Sequence, residues 1–126
     1  MRVARWNRSL LGVAAAIEAV TGLVMILFPH ALIRLLLGAD ATGLNVVIGR
    51  VAGIALLSLG VGCWFGRQEA TGGWALPAML LYNVLVTLYL ALVGLGAEFV
   101  GVLLWPAVVV HAVLTVLLGF AWSKSR

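Results

Sequence analysis

From Ser9 to Phe28 the chain reads SLLGVAAAIEAVTGLVMILF, twenty residues in which Glu18 is the one charged side chain. At a rise of ~1.5 Å per residue a helix of this length is ~30 Å long, the thickness of a bilayer's hydrocarbon core. Three more stretches have the same character, from Leu44 to Gly66, Trp74 to Leu95 and Phe99 to Trp122. The expectation is therefore a single transmembrane domain over residues 1–126, with spans at about 9–28, 44–66, 74–95 and 99–122.

Composition points the same way. Hydrophobic residues make up 64% of the chain, charged residues 10%, and the mean hydropathy is +1.19. Soluble domains carry roughly 45–50% apolar and about 25% charged residues. The four spans take up nearly all of the 126 residues, so the reading leaves no room for a catalytic domain outside the membrane.

The connections set the topology. Pro29 ends the first span, Arg67-Gln68-Glu69-Ala70-Thr71-Gly72-Gly73 separates the second from the third, and Gly94-Leu95-Gly96-Ala97-Glu98 forms a tight turn before the fourth. Short links of this kind make neighbouring helices antiparallel, which predicts an all-α, four-helix up-down bundle. Between the first and second spans, residues 30–38 are apolar apart from His30 and Arg34 but too short to cross, and read as an interfacial helix capping the bundle. The basic start followed by an apolar run imitates a secretory signal. Glu18 interrupts that run, and the segment continues to Phe28, so it reads as an uncleaved first helix.

Basic flanks orient the bundle, because Lys and Arg in short loops resist translocation. Arg2, Arg5, Arg8, Arg67, Lys124 and Arg126 all fall on one side of the up-down path, which predicts that both termini are cytoplasmic. Trp6, Trp64, Trp74 and Trp122 fall at the same boundary, as an aromatic belt would. The net charge of +4 then reflects contact with anionic headgroups, at about 1 kcal/mol per cation, and not nucleic acid binding.

Cys63 stands alone, which excludes an internal disulfide, a Cys-x-x-Cys redox pair and a thiolate metal cluster. No phosphate-binding or dinucleotide-binding glycine motif, zinc-protease motif or potassium filter occurs. Neither catalytic nor metal-binding residues are assigned, and an activity other than catalysis is favoured. His30 and His111 lie at different predicted depths, which argues against a bis-histidine haem within one chain.

The informative residues are polar groups placed in lipid, where a charge costs at least about 2.5–3.5 kcal/mol unless it finds a partner or water. Glu18, Arg50, Asn83 and His111 contribute one strong polar group to each span. Small and polar residues continue the helical rows: Ala14, Glu18 and Gly22 in the first, Asn83, Thr87 and Ala91 in the third, and Ala107, His111, Thr115 and Gly119 in the fourth. On the second span Gly49 and Gly53 form a G-x-x-x-G pair that Gly60 extends, a face suited to close helix packing. Glu18 with Arg50 reads either as an ion pair fixing which helices are neighbours or as a carboxylate free to carry a proton. Asn83 beside Tyr82 reads as interhelical glue, and His111 as either a satisfied core histidine or a proton carrier. Pro106, after Trp105, should bend the fourth helix near His111.

Glu18 in the first helix, Leu27-Phe28-Pro29 at its end and Gly49-Arg50-Val51-Ala52-Gly53 opening the second resemble the small bacterial four-helix membrane proteins of the DoxX-like group and related families of unknown function. The resemblance implies an inner-membrane bundle, with some relatives attached to quinone-linked or oxidative-stress systems. The lone cysteine departs from any direct thiol redox role.

Three functions remain open. The leading expectation is an accessory or scaffolding subunit of a larger membrane complex, or a homo-oligomer, assembled through glycine faces. The second is a proton-coupled transporter or channel that uses Glu18 and His111. The third is a redox or lipid-modifying component holding quinone or lipid near Tyr82, Asn83, Trp105 and His111. No cofactor is evident from a motif.

Overall fold

The computed structural model describes residues 2–69 and 73–125, the first two of these by backbone alone. Ala70, Thr71 and Gly72 of the predicted second connection, and Arg126 among the flanking cations, lie outside the described residues. Five helices follow one another: α1 (Arg2–Leu27), α2 (Pro29–Leu37), α3 (Leu44–Gly66), α4 (Ala75–Gly96) and α5 (Leu104–Ser125). Within α1, the segment Ala4–Leu27 is long and apolar enough to cross a membrane, as are α3, α4 and α5, giving the chain the build of a multi-pass membrane protein. Large apolar side chains such as Val20, Val51, Leu85 and Val116 face outward, where lipid replaces water as their surroundings.

The breaks between helices have local causes. Phe28 leaves the helical region at φ −130°, and Pro29 restarts the chain as the first residue of α2, where its missing N–H costs nothing. Gly38 closes α2 in the left-handed conformation, φ 68°, with its N–H bonded to the Arg34 carbonyl.

α1 and α3 form the tightest pair. They run antiparallel, since Gly22 meets Gly53 and Leu57 while Ala15 and Ala19 meet Gly60. A Cβ placed on Gly53 would lie 2.7 Å from the Gly22 carbonyl oxygen, so only bare backbone allows this approach. The glycine face read from the sequence is thus occupied inside the monomer, with Gly49 turned to Ile33, Met25 and Pro29 at the foot of α2. α4 and α5 make the second antiparallel pair. α3 and α4 touch far less, chiefly near their connection, where the Cys63 thiol donates to the Ala75 carbonyl at 3.6 Å.

The last helix begins later than the hydropathy predicts, at Leu104 and not near Phe99. Residues 99–103 instead clasp the end of α2. The Gly101 N–H donates to Leu36 O at 3.0 Å and the Leu103 N–H to Leu35 O at 2.8 Å, satisfying carbonyls that the end of α2 leaves open. Hydropathy cannot separate these residues from a helix, because they are as apolar as α5 itself. The clasp ties α2 over one end of the bundle. The other half, toward the termini, is filled by an apolar core that includes Leu11, Ala14, Met79, Leu114 and Leu118.

Candidate functional site

Three of the four intramembrane polar residues meet at mid-depth, and the fourth does not. Glu18 on α1 is 1% exposed and Asn83 on α4 is fully buried. His111 on α5 lies between them, with Nδ1 2.9 Å from Asn83 Oδ1 and 3.7 Å from Glu18 Oε1. Tyr82 lies close enough to the Glu18 carboxylate to interact with it, and its ring stands edge-on to the His111 imidazole at 5.9 Å.

Arg50 is exposed on α3 and does not join them. The Glu18–Arg50 pair considered from the sequence is therefore replaced by a Glu18–His111 contact. Close packing of α1 on α3 explains this. It presents Gly49, Gly53 and Gly60 to α1 and turns Arg50 outward, where a long stem lets the guanidinium reach toward the membrane surface. The other described ion pair, Arg34 with Asp40 at 3.7 Å, is exposed near α2.

The donors in the cluster have assigned partners. Asn83 Nδ2 donates to the Met79 carbonyl at 2.9 Å, which can only accept, so Oδ1 is the atom presented to the histidine. Oδ1 can only accept as well, so His111 Nδ1 carries the proton. Thr87 and Thr115, candidates for a polar path, turn their hydroxyls back on their own helices. Thr87 donates to Asn83 O at 2.7 Å and Thr115 to His111 O at 2.8 Å. Among the described residues, Glu18 Oε1 has no hydrogen-bond partner although it is buried.

Above this cluster, toward α2, lies a cavity of about 360 Å³. Ile17, Thr21 and Met25 of α1 line one side, and Leu103, Pro106, Ala107 and Val110 of α5 another. Leu32 and Leu36 of α2 form the roof; Tyr82 and His111 form the floor. Leu103, Pro106 and Val110 are exposed at the rim, so the chamber opens sideways between α1 and α5, into the region lipid would occupy. From Leu103 to His111 it is ~12 Å deep at the helical rise. Pro106 helps to form it, because a proline in the first turns of α5 demands no hydrogen bond from its own nitrogen.

Trp105 is not part of this chamber. Its indole lies against Gly94 of α4, where a Cβ would come within 2.9 Å of the ring, and its neighbour Pro106 lines the chamber instead. A second hollow of about 400 Å³ between α2, α3 and α4 includes Asp40, Asn45 and Tyr89, but none of the mid-depth polar cluster. Asn7, 3% exposed on the termini side with Oδ1 unpartnered among the described residues, is a buried polar residue that the sequence reading passed over. Its spacing to Leu11, Ala14 and Glu18 follows one helical face and was a usable signal.

Comparison with protein families, curated proteins and solved structures returned no match to this chain.

Proposed function

We propose that this protein is a membrane-embedded receptor for a lipid-soluble small molecule of the quinone type, whose head sits on Tyr82 and His111 and whose tail leaves between α1 and α5. The observation that carries this reading is the chamber itself: apolar on its walls, polar on its floor and open toward lipid. Its volume falls within the ~300–1,000 Å³ of typical small-molecule sites. We place it in the bacterial inner membrane with cytoplasmic termini, a reading supported by the cations that gather at that end. The chamber then lies in the outer leaflet half.

The two other readings have less support. Scaffolding through the glycine face loses its main argument, since Gly53 and Gly60 are already covered by α1. A proton path across the membrane would have to pass the apolar core of Leu11, Met79, Leu114 and Leu118, and the threonines that would line it bond to their own helices.

The test uses the full chain purified in lipid nanodiscs. Extraction and mass spectrometry should find a prenylated quinone or hydroquinone enriched over the surrounding lipid. Ala107→Phe, which fills the chamber, should reduce that enrichment at least tenfold, while Leu85→Phe on the lipid-facing surface leaves it unchanged. Absence of enrichment in the unmodified protein, together with no saturable binding of a decyl-tailed benzoquinone or its hydroquinone, would refute the reading.

A further inference from the structure

Hydrogen bonding at the chamber floor is asymmetric, and the asymmetry is chemically selective. His111 uses its one N–H, at Nδ1, on Asn83 Oδ1. A neutral imidazole with the proton at Nδ1 has a bare lone pair at Nε2, so the polar atom it leaves for a ligand is an acceptor. Tyr82 lies beside the Glu18 carboxylate and interacts with it; with the hydroxyl proton turned to that carboxylate, the phenolic oxygen left for a ligand is also an acceptor. Behind them Glu18 is 1% exposed, and its Oε1, 3.7 Å from His111 Nδ1, is a buried oxygen with no hydrogen-bond partner among the described residues. Asn83 Nδ2 is committed to the Met79 carbonyl, and the Thr115 hydroxyl to the His111 carbonyl. The floor side chains thus offer acceptors, and their donors are engaged within the bundle.

A ligand head made only of carbonyl or ether oxygens would place acceptor against acceptor here, leaving both unpaired in an apolar site. Each unpaired group then bears its full desolvation penalty. A head carrying a hydroxyl supplies the missing donor. Sites that hydrogen-bond a ligand's O–H discriminate strongly against analogues lacking it, because buried groups are then left without partners.

We infer that the chamber selects membrane-soluble molecules with a hydroxyl on the head, phenols and hydroquinones, over quinones and capped ethers of the same shape. The proposal rests on the chamber being a ligand site, and deepens that reading by assigning the form of ligand it holds. His111 Nε2 is the acceptor that meets the ligand hydroxyl, and Asn83 is the positioning residue that keeps the imidazole in the required tautomer.

Two pairs of probes separate this proposal from the reading beneath it. The first is 4-decylphenol with 4-decylanisole, a redox-inert pair that differs only in whether the oxygen carries a proton or a methyl group. The second is a decyl-tailed hydroquinone with its quinone, under anaerobic conditions. Binding is measured on the full chain in nanodiscs. The phenol and hydroquinone should bind at least tenfold tighter than their partners, and His111→Leu should bring each pair within about threefold by weakening the hydroxylated member. Equal binding within each pair, or tighter binding of the quinone, overturns the proposal and leaves the chamber reading standing. Failure of all four probes to bind overturns both.

Because His111→Leu can fail to fold, nitrogen NMR of the labelled imidazole in the unmodified protein gives an independent readout. Nδ1 should be protonated and Nε2 bare, and Nε2 should shift on addition of the phenol but not of the anisole. A ring protonated at Nε2 instead, or an Nε2 signal indifferent to the phenol, also overturns the proposal.

Discussion

Replacing Asn83 with alanine tests whether the polar cluster is a coupled unit or a set of separate neighbours. Asn83 is fully buried and makes two side-chain hydrogen bonds, one to Met79 O within its own helix and one across to His111 on α5. Interhelical hydrogen bonds in membrane proteins average about 0.6 kcal/mol and reach about 1.7 kcal/mol. The geometry here, 2.9 Å with the Asn83 partner fully buried, belongs in the upper half of that range, so about 1 kcal/mol is assigned to the bond. Removing Asn83 also leaves the His111 N–H without its partner and opens a small void between α4 and α5, which together add about 1–2 kcal/mol. Asn83→Ala should therefore destabilise the bundle by about 2–3 kcal/mol, and His111→Ala by a similar amount.

The deciding quantity is the coupling. In a double-mutant cycle, the Asn83→Ala/His111→Ala protein should be less destabilised than the sum of the singles by about 1 kcal/mol. Reversible unfolding in bicelles or mixed micelles measures all four corners. Thr87→Val is the comparison: it loses only a bond within its own helix and should change stability by less than about 0.5 kcal/mol. A coupling of zero within error would refute the reasoning, since it would mean that the two side chains contribute independently and that Asn83 does not hold the imidazole.

The packing fixes three further outcomes. Gly53→Ala puts a methyl 2.7 Å from the Gly22 carbonyl oxygen and should cost about 1–3 kcal/mol in the same assay, whereas Gly62→Ala, with nothing within 4 Å, should be neutral or stabilise by about 0.5 kcal/mol. Gly101→Ala would drive its Cβ into the Leu35 carbonyl oxygen, so it should break the clasp and speed proteolysis between α2 and α3; proteolysis at the parental rate would show that the clasp does not hold α2 down. Cys63 is 3% exposed, so a bulky maleimide should label it slowly in the folded bundle and quickly after denaturation, while a Ser123→Cys/Cys63→Ala protein, with its thiol exposed at the end of α5, labels readily in both states.

Hydropathy and spacing made the helices legible because lipid enforces a simple rule: every span must satisfy its own backbone and cover itself in apolar side chains. The bounds expected for the second span, Leu44 to Gly66, are those of α3. The rule is silent about residues 99–103, which are apolar for another reason, and about which face of a helix finds which neighbour. That second silence is why Glu18 and Arg50 looked like partners. Opposite charges on adjacent spans invite pairing on paper, but the glycines beside Arg50 pack more closely than the guanidinium would allow.

The amino-acid sequence by itself determined that this chain forms four long apolar helices and a short fifth, with Glu18, Asn83 and His111 carried at similar depth, since these follow from length, hydropathy and rise per residue. Only the tertiary structure decided that those three residues meet, that Arg50 stays outside, and that a lipid-facing chamber opens above them. Those outcomes depend on helix rotation and on how closely two backbones approach. Both are set by contacts between residues distant in the chain, such as Gly22 with Gly53 and Asn83 with His111.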